Sequence, residues 1–315
     1  MSHAVEQMFY VGETPWHGLG VKLDSPPTIR DAIVAAGLDW EVVLKPLCRS
    51  DNFQVQDCFA TVRSSDDTTL GIVGARYTPI QNIQAFDWFE PFITSGQVVL
   101  ETAGSLHNGR QIWVLARINR DPIEVASGDA VGAHLLLSSS HDGSSNTRVG
   151  FTPIRVVCAN TLGLAHSAGV SKLLRVRHTK SAPLALREIQ GTIDAIHGTF
   201  SADIETMRRL TQYGCNVDDL RKYVSRVFRS KDSDLTETAS ETAVKSDRLF
   251  NSIEPLFQAG IGNKGETLWD AFNGVTQYLS WERGRTQDTR LSSLWLGDGA
   301  KLADRALSEA LAMAV

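Results

Sequence analysis

The sequence predicts an α+β fold, in which an antiparallel sheet with flanking helices is followed by a mostly helical C-terminal part. Segments with the two-residue alternation of strands dominate the first half of the chain, and segments with helical spacing dominate from about Pro183 onward. A chain of 315 residues can hold one large domain or two ordinary ones. We expect an α+β core with an N-terminal arm at residues 1–182 and a helical region at residues 183–315.

The first segments predict an arm and two helices. The arm at His3–Gly20 is irregular, since its TPWHGLG motif places aromatic residues among Pro and Gly. We expect it to pack on its own domain, to cover an edge strand or to lie on a neighbouring subunit. Thr28 is the predicted cap of a helix over Ile29–Ala36. Asn82 is the predicted cap of a second helix that runs to about Thr94, with its phenylalanines on the apolar side.

Alternating apolar and polar side chains predict the strands of the sheet. Hairpin turns are predicted at Ser64–Thr68 and at His107–Arg110, and Pro153 predicts a bulge in the last strand. The predicted strands are Trp40–Leu47, Phe53–Arg63, Leu70–Val73, Val98–Ser105, Gln111–Ile118, Val131–Ser139 and Arg148–Val157.

Helical spacing predicts the remaining elements. The polar stretch Lys231–Lys245 is expected to be a flexible connector or an exposed helix. The predicted helices are Cys158–Ala168, Leu184–Arg209, Val217–Phe228, Glu266–Trp281 and Leu302–Met313.

Composition and motifs exclude several classes of protein. No apolar run is long enough to span a membrane, and the first residues do not resemble a signal peptide. The four cysteines form no CxxC pair, so we expect buried free thiols in a reducing cytoplasm rather than a zinc site or disulfides. There is no Walker loop, dinucleotide-binding motif, HExxH or nucleophile elbow, so we expect no cofactor and no enzyme. A metal-dependent hydrolase or nuclease that uses His134, His141 and Asp142 stays open as an alternative.

Positive charge is concentrated in one stretch of the chain. Gly143–Arg187 contains seven Lys and Arg and no Asp or Glu, while the rest of the chain has 24 Lys and Arg against 36 Asp and Glu. In a protein with a net charge of −5, such a segment predicts either an anion-binding surface or a solvated edge.

Single-stranded nucleic acid is a candidate ligand of this basic stretch. Such ligands are held by cations on the phosphate backbone and by aromatic platforms against the bases. Arg175 and Arg177 are two apart and share a face if the backbone is extended. The candidate nucleic-acid-binding residues are Arg148, Arg155, Lys172, Arg175, Arg177, Lys180, Phe151 and Tyr77.

Several motifs resemble those of one family. These are TPWHGLG, YTPIQN at Tyr77–Asn82, FTPIRVVCANTL at Phe151–Leu162 and TLWDAFNGVTQYLSW at Thr267–Trp281. In this order they resemble the phage/plasmid-like protein family, also catalogued as domain of unknown function nine-three-two. The chain departs from the family pattern at Ser280-Trp281-Glu282, where an acidic-histidine pair is more usual. The resemblance implies a phage or plasmid gene expressed in the cytoplasm of a bacterial host, and a role in DNA metabolism by association.

The predicted order of elements is also similar to the core of single-strand annealing proteins of the Redβ/RecT superfamily. That resemblance implies a homo-oligomeric ring or filament that holds single-stranded DNA in a basic groove. We therefore expect a DNA-binding and annealing protein that acts in recombination without a cofactor. The alternative is a non-enzymatic accessory protein of a mobile element that binds a host protein through its helical C-terminal half.

Overall fold

The computed structural model describes residues 5–12, 20–119, 121–155, 174–191, 204–229, 239–284, 293 and 298–314. The chain divides into two compact units: unit 1 is Met1–Arg120, Ala133–Phe151 and Leu173–His197, and unit 2 is Asp121–Gly132, Thr152–Lys172 and Gly198–Val315. The helix predicted at Cys158–Ala168, Lys172 and most of the TPWHGLG motif lie outside the described residues. The domain division between residues 182 and 183 stays a prediction.

The described strands confirm the strand-rich first half. They are β1 (Val5–Val11), β2 (Val21–Leu23), β3 (Val42–Cys48), β4 (Gln54–Arg63), β5 (Thr69–Gly74), β6 (Val98–Leu106), β7 (Gln111–Ile118), β8 (Ile123–Ala126), β9 (Asp129–Ser140), β10 (Thr147–Arg155) and β11 (Leu174–Val176). The main sheet of unit 1 has the strand order β11-β10-β9-β7-β6-β1-β2, and β3-β4-β5 form a second, three-stranded sheet.

The main sheet is mixed rather than purely antiparallel. Strand β1 is antiparallel to β6 but parallel to β2, with Phe9 opposite Val21. The N-terminal segment is therefore a strand of its own unit where the structure describes it, in agreement with the first of the three arrangements expected for the arm. Its length of seven residues and its consecutive buried residues Met8 and Phe9 explain this position, because both faces of the strand are covered there.

Four of the described helices belong to unit 1. They are α1 (Ile29–Ala35), α2 (Asn82–Asp87), α3 (Glu90–Thr94) and α4 (Ala182–Gly191). Thr28 caps α1 as predicted, accepting a hydrogen bond from the backbone N–H of Asp31. Alternate residues of β7, such as Val114 and Ala116, share one buried cluster with residues of these helices.

The single helix predicted after Asn82 is two short helices. Pro91 has no N–H and cannot donate to the carbonyl four residues earlier, so the ladder breaks between Asp87 and Glu90. The cap is Gln81 rather than Asn82, because Gln81 and Gln84 form a reciprocal capping box. Asn82 is instead fully buried.

Arg63 fastens the small sheet to the N-terminal strand. It bonds Glu6 at 2.6 Å and both carboxylate oxygens of Asp66, in the turn predicted at Ser64–Thr68, at 2.9 and 2.8 Å. Its guanidinium also lies 5.5 Å from the ring centroid of Trp40. The Arg63 bond and backbone hydrogen bonds from Thr68 lower the pKa of Asp66 to about 2.

Unit 2 is mostly helical, as predicted for the C-terminal part. Its described helices are a segment at 204–211, α5 (Val217–Phe228), α6 (Ala239–Ala259), α7 (Leu268–Trp281) and α8 (Asp298–Met313). Strand β8 pairs with the first residues of β9. The indole of Trp269 donates to Asp129 at 2.6 Å, and both side chains are buried. No described helix is long and apolar enough to cross a membrane.

Two predicted segments, Leu184–Arg209 and Lys231–Lys245, are described only in part. The helix predicted at Leu184–Arg209 is described only as α4 and as the segment at 204–211. The stretch Lys231–Lys245 is described from residue 239 onward, where it is the start of the 21-residue helix α6. An exposed helix was one of the two forms expected there.

Candidate nucleic-acid interface

The described basic residues meet at one edge of the main sheet. In the register of β10 and β11, Arg148 lies directly opposite Arg175. Directly opposed residues of neighbouring strands share a face, with Cα atoms about 4.5–5.5 Å apart. Arg177 follows two residues later, and both it and Arg175 are exposed, as is Lys180. The structure thus places Arg148 and Arg175 side by side, with Arg177 and Lys180 exposed in the residues that follow.

These cations repel one another. Burial lowers the pKa of the half-buried Arg148, and the charge of Arg175 lowers it further. Within the described part of the chain, no carboxylate forms an ion pair with Arg175, Arg177 or Lys180. Like charges placed directly opposite on neighbouring strands destabilise a sheet. An anion between them would relieve this cost.

The opposite face of the same edge joins a buried polar cluster. Val176 and His178 are buried while Arg175 and Arg177 are exposed, so this stretch alternates between core and solvent. The His178 Nε2 lies 3.4 Å from the hydroxyl of Thr147, which bonds Ser139 at 2.7 Å. These contacts attach the end of β11 to β9 and β10.

Tyr77 stacks on His178. Their ring centroids are 4.9 Å apart and the planes differ by 12°. The Tyr77 hydroxyl donates to the carbonyl of Ser140 at 2.9 Å, and burial raises its pKa. The backbone N–H of Thr78 donates to the carbonyl of His178 at 3.0 Å. The predicted platform is therefore half-buried, with one ring face covered by His178, on the inward side of the stretch whose outward side presents Arg175 and Arg177.

A second histidine is held deeper in the same cluster. Asn82 donates through its Nδ2 to the carbonyls of Leu38 and Trp40, so its Oδ1 accepts from His141 Nε2 at 2.8 Å. In the neutral ring the proton is therefore on Nε2. The ring of Trp40 meets that of His141 edge-on at 5.5 Å. The Nδ1 of His141 has no hydrogen-bond partner within the described chain.

Both rings are held neutral by their surroundings. Burial lowers the pKa of His141 to about 3, with a smaller effect from His178. Burial likewise lowers the pKa of His178 to about 4. Asp142 opposes both shifts, and its Oδ1 is occupied by the backbone N–H of Ser144 at 2.9 Å. The cluster is therefore a neutral, buried network beneath a charged edge.

The residues considered for metal-dependent hydrolysis have other partners. His134 contacts Glu101 at 2.7 Å, whereas His141 contacts Asn82. Across the described residues, no group of three or more His, Cys, Asp or Glu side chains is arranged to hold a metal ion. These contacts give the hydrolase hypothesis no support.

The remaining predicted residues are only partly described. Phe151 and Arg155 lie in β10, but their side chains are outside the described part, as is the whole of Lys172. Sequence reasoning missed His178 as the stacking partner of Tyr77, and Thr147 as a contact of His178. Their one signal is the placement of polar residues at inward positions of an alternating strand, where apolar residues are usual.

Comparison with known proteins assigns a family. The family model described as "Domain of unknown function (DUF932)" matches residues 69–295, which is more than half of the chain. The match covers three of the four motifs on which the family resemblance was based, at Tyr77–Asn82, Phe151–Leu162 and Thr267–Trp281. No curated protein and no solved structure matched the chain.

Proposed function

We propose that this chain, which belongs to the DUF932 family, binds single-stranded DNA at the basic edge of its main sheet. The observation that supports this is the like-charged pair Arg148 and Arg175, opposed across β10 and β11 and followed by Arg177 and Lys180. Arginine offers a planar fork of donors that matches phosphate oxygens, so two opposed arginines suit a bridging phosphate.

The edge also suits a single strand rather than a duplex. Unpaired bases offer an aromatic face to a protein, and Tyr77, half-buried against His178, is an aromatic side chain close to this edge. Binding through phosphates and stacking needs no sequence-specific contact and no cofactor. We extend the proposal to the annealing of complementary strands during recombination of a phage or mobile element, in the cytoplasm of its host. The active form would be a homo-oligomeric ring or filament whose subunits have the annealing-protein core.

Binding to labelled single-stranded and duplex oligonucleotides across a salt series tests the proposal. We expect tight single-strand binding that weakens with salt, with a slope of about 0.7 per phosphate contact on logarithmic axes. The variant Arg175→Glu/Arg177→Glu is expected to lose binding, because two cations become anions at the edge. Lys264→Glu/Lys301→Glu makes the same change in charge at exposed positions of unit 2 and is expected to bind as the wild type does.

Two results would contradict the proposal. One is an absence of binding at low salt. The other is equal binding by both double variants, since affinity would then follow net charge rather than the edge. In either case the alternative function, an accessory protein that binds a host protein, becomes the leading hypothesis.

A further inference from the structure

A groove in unit 1 is lined by none of the four cations Arg148, Arg175, Arg177 and Lys180. It has a volume of about 550 Å³ and lies between the helix pair α2–α3 and helix α4. Asp87, Trp88 and Glu90 line one wall, and Leu186 and Arg187 line the other. Its volume falls in the range of ordinary ligand sites.

The two walls are fixed to each other. The indole N–H of Trp88 donates to the carbonyl of Leu186 at 2.9 Å, and Gln190 Nε2 donates to the carbonyl of Trp88 at 2.7 Å. Trp88 and Leu186 are both buried. The groove is therefore preformed, which lowers the entropic cost of filling it.

Charges on the two walls do not neutralise one another. Asp87 and Glu90 are exposed carboxylates three residues apart, and Arg187 is exposed on the facing helix. No ion pair within the described residues joins any of the three to a partner. Burial raises the pKa of Asp87, and the charge of Glu90 adds to this rise. A cation between the two carboxylates would be favoured.

We infer that this groove binds a protein segment by one basic side chain, which pairs with Asp87 and Glu90 while an acidic side chain of the same segment pairs with Arg187. The stem of a Lys or Arg side chain lies along the apolar lining that Pro91 contributes from one wall and Pro183 and Leu186 from the other. The occupant is a partner protein, because a segment with one basic and one acidic side chain complements Asp87 and Glu90 on one wall and Arg187 on the other. A small ion there stays largely hydrated, whereas a peptide gains further contacts on either side.

The probe is a fluorescein-labelled peptide with one Arg and, four residues later, one Glu, measured by fluorescence anisotropy. Two matched peptides replace either the Arg or the Glu by Gln. We expect the wild type to bind the first peptide at least tenfold more tightly than the peptide without Arg. Asp87→Asn/Glu90→Gln is expected to lose that preference. Glu188→Gln, an exposed change on α4 that does not line the groove, is expected to keep it.

Arg187→Ala provides an internal check. It is expected to weaken binding of the peptide with Glu severalfold and to leave binding of the peptide without Glu unaffected, because only the first peptide can pair with Arg187; the difference is the coupling energy of that pair. Circular dichroism on each variant establishes that the fold is retained. These positions are not among the cations of the basic edge, so single-strand DNA binding by Asp87→Asn/Glu90→Gln is expected to match the wild type.

Three results would overturn the inference. The first is a dissociation constant above about 1 mM for the first peptide with the wild type. The second is unchanged peptide binding by the folded Asp87→Asn/Glu90→Gln variant. The third is a change in the oligomeric state of the chain alone in that variant, since the occupant would then be a second copy.

Discussion

Acidification is predicted to destabilise unit 1 through two of its buried histidines, His141 and His178. His141 is fully buried and His178 is 7% exposed, and burial lowers their pKa values to about 3 and about 4. In the unfolded chain both have the ordinary value of about 6.5. The unfolded state therefore binds more protons than the folded state below that value. Stability is fully present above pH 6.5 and is lost as the pH falls toward the two folded-state values.

The size of the effect follows from these values. At pH 5 both folded rings are still neutral, whereas both unfolded rings are protonated, about 1.5 pH units below their pKa. Each unit is about 1.4 kcal/mol, so each histidine costs about 2 kcal/mol and the pair about 4 kcal/mol relative to pH 8. That is a large share of the 5–15 kcal/mol by which domains are usually stable. Asp66, with a pKa of about 2, titrates below this window.

Urea unfolding at pH 8, 6.5, 5.5 and 5, followed by circular dichroism and by amide exchange in β7 and β9, measures the effect. His141→Gln and His178→Gln are each expected to remove about half of the pH dependence, because each removes one titrating ring. His107→Asn removes an exposed histidine from a turn with positive φ, which Asn tolerates, and is expected to leave the dependence unchanged.

A double variant His141→Gln/His178→Gln with the pH dependence of the wild type would refute this reasoning. So would a wild type whose free energy of unfolding is the same at pH 8 and pH 5. Either result would mean that the rings are solvated or protonated in the folded state. The description of the cluster as a neutral network would then be wrong.

Two further predictions concern buried groups. Asn82→Ala is expected to lower the free energy of unfolding by about 2–4 kcal/mol in urea titrations at pH 8, because it leaves His141 and two backbone carbonyls without their hydrogen bonds. The control Asn251→Ala, at an exposed helical position, should change that free energy by less than about 1 kcal/mol. Cys215 is buried, and its pKa is raised to about 12, chiefly by that burial. A thiol reagent at pH 8 is therefore expected to label the exposed Cys48 promptly and Cys215 only in urea. Prompt labelling of Cys215 in the native protein would contradict this prediction.

Elements with strong local signals were predictable from the sequence. The strand Gln111–Ile118 and the helix Val217–Phe228 have the predicted ends. The strand is a short apolar run that follows a predicted hairpin turn, and the helix begins after an Asn whose side chain caps it. Both signals lie within a few residues of the element, so the element can be predicted without knowing any distant partner.

Elements that depend on distant pairing were not predictable. Strand β1 gains its hydrogen bonds from β6, with Val5 opposite Leu106, about a hundred residues later. Strand β11 has only three residues and pairs with β10 across a long connection. Asn82 was read as a cap because its partner His141 is 59 residues away. Local patterns contain no information on such contacts.

The candidate interface was likewise predictable only where its contacts are local in sequence. Spacing alone places Arg175 and Arg177 on one face, as the exposure of both confirms. It cannot place Arg148 opposite Arg175, because that register is set where β10 meets β11. Reasoning about Arg148 from the sequence considered only Arg155 within the same strand.

Alternation explains why cations and buried polar groups occupy one short stretch. A three-residue strand makes few hydrogen bonds and would hold its side chains loosely at a sheet edge. Here the inward residues Val176 and His178 anchor it, one in the apolar core and one between Tyr77 and Thr147. The outward residues Arg175 and Arg177 are thereby held in place despite their mutual repulsion. A charged edge that is anchored in this way is preorganised, which is the condition under which opposed cations favour an anion most strongly.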